Sequence, residues 1–169
     1  GNNCYTYGME LDEHRAEEAQ TRLHRVGFGS FFHSQISREA FHVLFLNPPY
    51  LSVLAEGGSR VRSEKQFLVQ SIRTLMLGGL LVYIVPYYRL SPDICNILAE
   101  NFSDLSVWKF TSVEFARFHQ VVVLGLRRKP TEDDETADRL GAQTLTPEMI
   151  PCVTELDEHR YVLPDVAKT

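Results

Sequence analysis

The chain has 169 residues, 44% of them hydrophobic and 23% charged, which suits a globular domain with a real core and excludes wholesale disorder and collagen-like or mucin-like chains. Its 17 basic and 22 acidic side chains give a net charge of -5, which excludes a grip on nucleic acid by bulk charge alone. No apolar run approaches the ~18 residues that would span a bilayer, no secretory signal opens the chain, and Cys4, Cys95 and Cys152 are too scattered for a disulfide framework or a zinc cluster, so a reducing cytoplasm is expected.

Residues 4–10 favour a short strand ending at Glu10. Over residues 11–26 apolar positions recur at helical steps, with Asp12 as N-cap and Gly27 as the stop. Residues 28–32 are expected as another strand. Residues 41–46 form a buried strand that runs into Asn47-Pro48-Pro49-Tyr50. Residues 51–62, with Gly57-Gly58, are expected as a loop. An amphipathic helix is predicted over 63–77, ended by Gly78-Gly79, and a buried strand over 80–85. Ser91 and Pro92 start a helix that runs to residue 100. Strands follow at 105–110 and 120–126, with an aromatic-rich segment and no helix between them. Strands alternating with helices mean an α/β domain with a largely parallel sheet, and the last two strands form an antiparallel pair at one side. After Lys129 the composition turns acidic, so residues 1–129 are expected as the domain and 130–169 as a linker and appendage. The hexapeptide at residues 10–15 recurs at 155–160 with different flanks, which we treat as coincidence.

Asn47-Pro48-Pro49-Tyr50 carries the most chemistry. In open α/β sheets ligands bind beyond the carboxyl ends of strands. Two prolines stiffen the loop and remove backbone donors. The side-chain oxygen of Asn47 and the carbonyl of Pro48 remain as fixed acceptors, a match for a planar amino group with two N–H donors. Bonding to both draws that nitrogen towards tetrahedral geometry and frees a lone pair. Tyr50 offers a face for stacking an aromatic base, worth ~1–3 kcal/mol. A rigid turn with no ligand uses the same residues. Glu10, at a strand end entering a helix, is placed to accept both hydroxyls of a ribose, or equally to cap the helix.

Four segments in this order resemble the class I S-adenosylmethionine-dependent methyltransferases: residues 7–12 around Glu10, 45–50 with Asn-Pro-Pro-Tyr, 78–86 around the buried strand, and 120–125. The chain looks like the amino-methylating, N6-adenine branch, and most like an uncharacterised bacterial subgroup of it. The resemblance covers residues 5–128. It implies a Rossmann-like sheet with helices on both faces, and S-adenosylmethionine as cofactor. It implies that Glu10 binds the cofactor ribose and that Leu11 and Phe31 pack on its adenine. Ser30 stands where the family carries an aspartate. It further implies that Asn47, Pro48, Pro49 and Tyr50 hold the target amine, with Phe115 or Phe118 as a second stacking face.

The family's first strand and Gly-rich loop have no counterpart here. The chain is therefore expected to be a piece of a longer protein, binding the cofactor weakly by itself. The expected reaction is methylation of adenine N6, in DNA ahead of RNA. The alternatives are methylation of a ribosomal RNA base or a protein glutamine, and a non-catalytic module of the same fold. No metal site is expected. A nucleic-acid partner, no membrane, and a homodimer through exposed sheet surface complete the expectation.

Overall fold

The computed structural model describes residues 4–49, 52–54, 60–157 and 161–165. The chain divides into two compact units, Gly1–Ser37 and Arg38–Thr169.

The first unit is a small βαβ motif. Strand β1 (Tyr7–Glu10) pairs in parallel with β2 (Arg25–Phe28), with Glu10 opposite Phe28, and helix α1 (Glu13–Gln20) crosses over between them. Asp12 caps α1 by accepting from the Arg15 N–H at 2.9 Å, as predicted. The helix is shorter than its periodicity suggested. Thr21 turns back on it, its hydroxyl donating to the Glu18 carbonyl at 2.7 Å. Residues 25–28 then go to the ladder, so Gly27 lies within a strand rather than ending a helix. Phe31–His33 form a 3-10 turn in place of the expected strand.

The second unit is built on a four-stranded sheet of order β3-β6-β8-β7, from β3 (Phe41–Leu46), β6 (Leu75–Pro86), β7 (Phe102–Lys109) and β8 (Gln120–Arg127). β3 and β6 run parallel, and β8 lies antiparallel to both β6 and β7. The antiparallel pair at one side is therefore present. A short antiparallel pair, β4 (Ser52–Leu54) and β5 (Arg60–Arg62), stands where a loop was expected. Helices α2 (Ser63–Ile72), α3 (Pro92–Asn101), α4 (Ser112–Phe118) and α5 (Asp134–Leu145) complete the unit.

Further elements differ from expectation. α2 stops at Ile72, and β6 begins at Leu75 and runs through Gly78-Gly79. The pairing of β3 on β6 slips there, from Phe41 opposite Leu75 to Val43 opposite Leu80. Gly78 takes φ +78° within the irregularity, so the glycines bend a strand and do not end a helix. A seven-residue helix, α4, lies between β7 and β8, where none was expected. Residues after Pro130, expected as an appendage, form α5. Its Leu140 is fully buried in the same core as Tyr83, Leu98 and Phe102. The first copy of the repeated hexapeptide leads from β1 into α1, and the second begins at the end of a 3-10 turn (Val153–Glu155), with residues 158–160 outside the described set.

Candidate active site

Within the first unit the predicted cofactor residues gather at the carboxyl ends of a parallel strand pair. The Glu10 carboxylate accepts from the Leu11 and Asp12 N–H groups at 2.9 and 3.0 Å and from the Arg15 guanidinium at 3.1 Å. All three donors converge on Oε1. Oε2 takes no donor among the described residues and stays available to a ligand hydroxyl. Leu11 is 69% exposed. The neighbouring strand delivers Ser30 and Phe31 to the same end. The Gly29 N–H donates to the Glu10 carbonyl at 2.9 Å, and Ser30 opens the turn that holds half-buried Phe31.

In the second unit β3 ends on Asn47-Pro48-Pro49. Pro48 is buried, while Asn47 and Pro49 are exposed. The Ser63 hydroxyl donates to the Pro49 carbonyl, fixing the loop to the first residue of α2. The Pro48 carbonyl has no such donor among the described residues. Tyr50, the motif's fourth position, lies outside them.

Leu46 pairs with Tyr83 in the parallel ladder, so β3 and β6 release their chains at one edge of the sheet. β6 delivers Pro86 and Tyr87 to that edge. The Tyr87 N–H donates to the His119 carbonyl at 2.9 Å, and its ring lies 5.9 Å from that of Phe115. His119 ends α4 in the left-handed conformation, φ 54°, and its ring meets Tyr87 and Phe115 edge-on. Phe115 is thus brought to the edge where β3 ends, half-buried against the core. Phe118, 49% exposed, is not packed there.

Sequence reasoning missed the residues beneath this edge. Glu64 is fully buried. Its Oε1 lies 3.4 Å from Arg89 Nη1, its Oε2 is buried without a partner among the described residues, and its backbone carbonyl accepts from the Tyr83 hydroxyl at 3.4 Å. Lys65 reaches Asp93 at 2.8 Å, tying the first turns of α2 and α3 together. That hydrogen bond and the ammonium charge hold the Asp93 carboxyl below its usual range. The available signal was a Ser-Glu-Lys triplet opening a helix soon after the proline motif.

The basic cluster at residues 127–129 is largely structural. Arg127 donates to the Leu75 carbonyl, and Arg128 donates to the Ala99 carbonyl and to Asp133. Among the described residues no group of three His, Cys, Asp or Glu side chains could hold a metal ion, and no helix is long and apolar enough to cross a membrane.

The architecture is that of a Rossmann-like α/β protein. The chain matches the uncharacterised methyltransferase family (DUF6094) over residues 1–166, and it belongs to that family. Among solved structures it is similar to a Listeria monocytogenes protein assigned to the class I S-adenosylmethionine-dependent methyltransferases, with TM-score 0.59, 13% identity, and coverage of 84% of this chain and 55% of that one. It is also similar to the tRNA (m1A58) methyltransferase TrmI of Aquifex aeolicus, with TM-score 0.51, 18% identity, and coverage of 74% and 54%. At these identities the likeness is one of fold. The chain spans about half the length of each of these structures. Among curated proteins none matches it. Family and fold together imply S-adenosylmethionine as the cofactor.

Proposed function

We propose that this chain carries the catalytic part of an S-adenosylmethionine-dependent methyltransferase acting on the exocyclic amine of a nucleobase, adenine N6 in DNA first. The observation that carries the reading is the strand end at Asn47: a stiff acceptor loop on the edge that also holds Tyr87 and Phe115. Aromatic faces there favour a flat base over a glutamine side chain, which needs less stacking surface. The tRNA methyltransferase among the similar structures supports a nucleic-acid substrate and keeps RNA as the second reading.

The residues of the first unit fit the nucleoside part of the cofactor. Glu10 Oε2 would accept from the ribose hydroxyls, while exposed Leu11 and Phe31 would border the adenine. Ser30, with a hydroxyl and no carboxylate, would hold the adenine amino group weakly. Once bound, S-adenosylmethionine supplies an electrophilic methyl on a sulfonium. In the proposed site the Asn47 side-chain oxygen and the Pro48 carbonyl accept the two amine N–H groups and aim the nitrogen lone pair outward. Tyr50 and the Tyr87–Phe115 pair hold the ring plane. The cofactor held there would supply its methyl to this nitrogen and keep the sulfur's electron pair, and the nitrogen would then release a proton. Orientation and fixed dipoles do the catalysis, with no general base among these residues. In a duplex the base would first be flipped out of the stack.

The test is methyl transfer from labelled cofactor to DNA, RNA and protein, using the full-length protein. Asn47→Ala should lower the rate about 100- to 1,000-fold, as for loss of one preorganised polar group. Transfer that is indifferent to Asn47 sinks the reading. Association of two copies is a further part of the proposal. Its support is Val43 and Phe45, both exposed on edge strand β3, and light scattering of a Phe45→Ser variant tests it.

A further inference from the structure

Two arginine-over-aromatic pairs adjoin Tyr87 and Phe115 and have no role in the proposed reaction. Tyr88 is 57% exposed, and the Arg89 guanidinium lies 5.9 Å from its ring centre. The Arg117 guanidinium lies 4.9 Å from the centre of half-exposed Phe118. Both pairs are anchored to the central cluster. The Tyr88 ring meets Tyr87 edge-on at 5.6 Å, Phe118 sits on α4 one turn beyond Phe115, and the Tyr87 N–H bond to His119 joins the two arms.

The guanidiniums keep most of their donors. Arg117 has no carboxylate partner among the described residues, since nearby Glu114 accepts from the Thr111 hydroxyl at 3.0 Å. Among the described residues Arg89 has one carboxylate contact, at 3.4 Å to buried Glu64. A guanidinium lying over a ring directs its N–H groups outward in its own plane, which suits a phosphate. The chain as a whole is acidic, so donors left free beside exposed aromatics concentrate at this edge what the net charge withholds.

We propose that Tyr88–Arg89 and Arg117–Phe118 are the two jaws of a clamp for a nucleic-acid strand on either side of the target base. Each ring stacks on a neighbouring base, and each guanidinium takes a phosphate. The clamp deepens the base-methylation reading and rests on it. It assigns exposed Phe118 to a flanking base and leaves the target base to Tyr87 and Phe115. Local donors and stacking then replace the bulk positive charge that the chain lacks.

The test measures binding of the full-length protein to a short fluorescent single-stranded DNA containing adenine, by anisotropy over a salt series. Methyl transfer to the same strand is followed in parallel, and melting curves confirm that each variant is folded. Arg117→Ala should weaken binding several-fold and reduce the slope of log K against log salt by about 0.7, the share of one phosphate on a single strand. Tyr88→Ala and Phe118→Ala should each weaken binding about tenfold with the slope unchanged. Lys129→Ala, an exposed cation at the end of β8, should change neither. If the wild type methylates the strand but Arg117→Ala and Phe118→Ala bind like it, or Lys129→Ala loses as much, the clamp fails and base methylation stands. If the wild type neither binds nor methylates the strand, both fail.

Discussion

Glu64 is fully buried in the second unit and pairs with Arg89, whose Nη1 lies 3.4 Å from Oε1. One helical position earlier Ser63 holds the Pro49 carbonyl, and three residues before Arg89 β6 ends at Pro86. The pair therefore joins the floor of the proline loop to the segment that carries Tyr87. A buried carboxylate that loses a paired cation keeps its desolvation cost with that compensation gone. Arg89→Met should destabilise the protein by about 3 kcal/mol, the low end for breaking a buried pair because Arg89 is partly solvated. Glu64→Gln should cost less. The double variant should be more stable than Arg89→Met alone, because no charge is left stranded. Urea denaturation of the four proteins gives the cycle, and additive losses would show that the two side chains do not interact.

Leu140 gives the second prediction. It is fully buried on α5, and the same core holds Ala137 and Ile150. Leu140→Ala should cost about 2–5 kcal/mol, as in a packed core. The loss should appear in one cooperative transition of the second unit. If α5 were an independent appendage, the main transition would stay where it was and a separate early one would appear.

The residues that made α5 hard to see show what the sequence withholds. The acidic run at 132–135 looked like a solvated linker, yet Asp133 is the N-cap, accepting from the Thr136 N–H at 3.1 Å, and Asp134 and Glu135 form the first turn. Carboxylates belong there, because the helix presents free N–H groups and the positive end of its dipole. The following helix has only a short apolar stripe, so periodicity did not announce it. Gly78-Gly79 misled for the opposite reason. Glycines stop helices often, but this pair lies where β6 slips against β3, and pairing with a distant strand is invisible locally. α4 is too short to show a period. By contrast, the strand ending at Asn47, the β6 and β8 runs and the Asp12 cap were legible, since each carries its own local signal. Of the candidate site, the strand ends were legible. The Ser63–Glu64–Arg89 floor was not, because a buried charge cannot be told from a surface one without the fold.

The cysteines give a third prediction. Burial pushes the Cys95 thiol up to about 11, so at neutral pH it is protonated as well as shielded. Cys4 is exposed, and Cys152 is part-exposed with its thiol lowered, chiefly by a hydrogen bond from Thr154. Alkylation at pH 8 followed by intact mass should give two fast adducts in the native protein and a third only in denaturant. Fast native labelling of Cys95 would mean that α3 opens readily from the core.

Acid should loosen α5 through Asp133. Its carboxyl is held below the usual range, first by the Thr136 N–H and then by the Arg128 hydrogen bond at 2.8 Å. A group whose folded pKa is depressed stabilises the fold above its unfolded value, about 3.9, and that contribution disappears as pH falls through the folded value. Wild type should therefore be more stable than Asp133→Asn at pH 7, and the gap should close below about pH 4 as the aspartate takes up its proton. Asparagine caps nearly as well as aspartate, so the variant isolates the charge and leaves the cap in place. Arg128 also donates to the Ala99 carbonyl of α3, so the charge links the start of α5 to the helix it packs on. Thermal melts of both proteins followed by circular dichroism between pH 2 and 7 measure the gap. A gap that persists unchanged at the acid end would mean that the Asp133 charge contributes nothing, and that the cap and the Leu140 packing alone hold α5 in place.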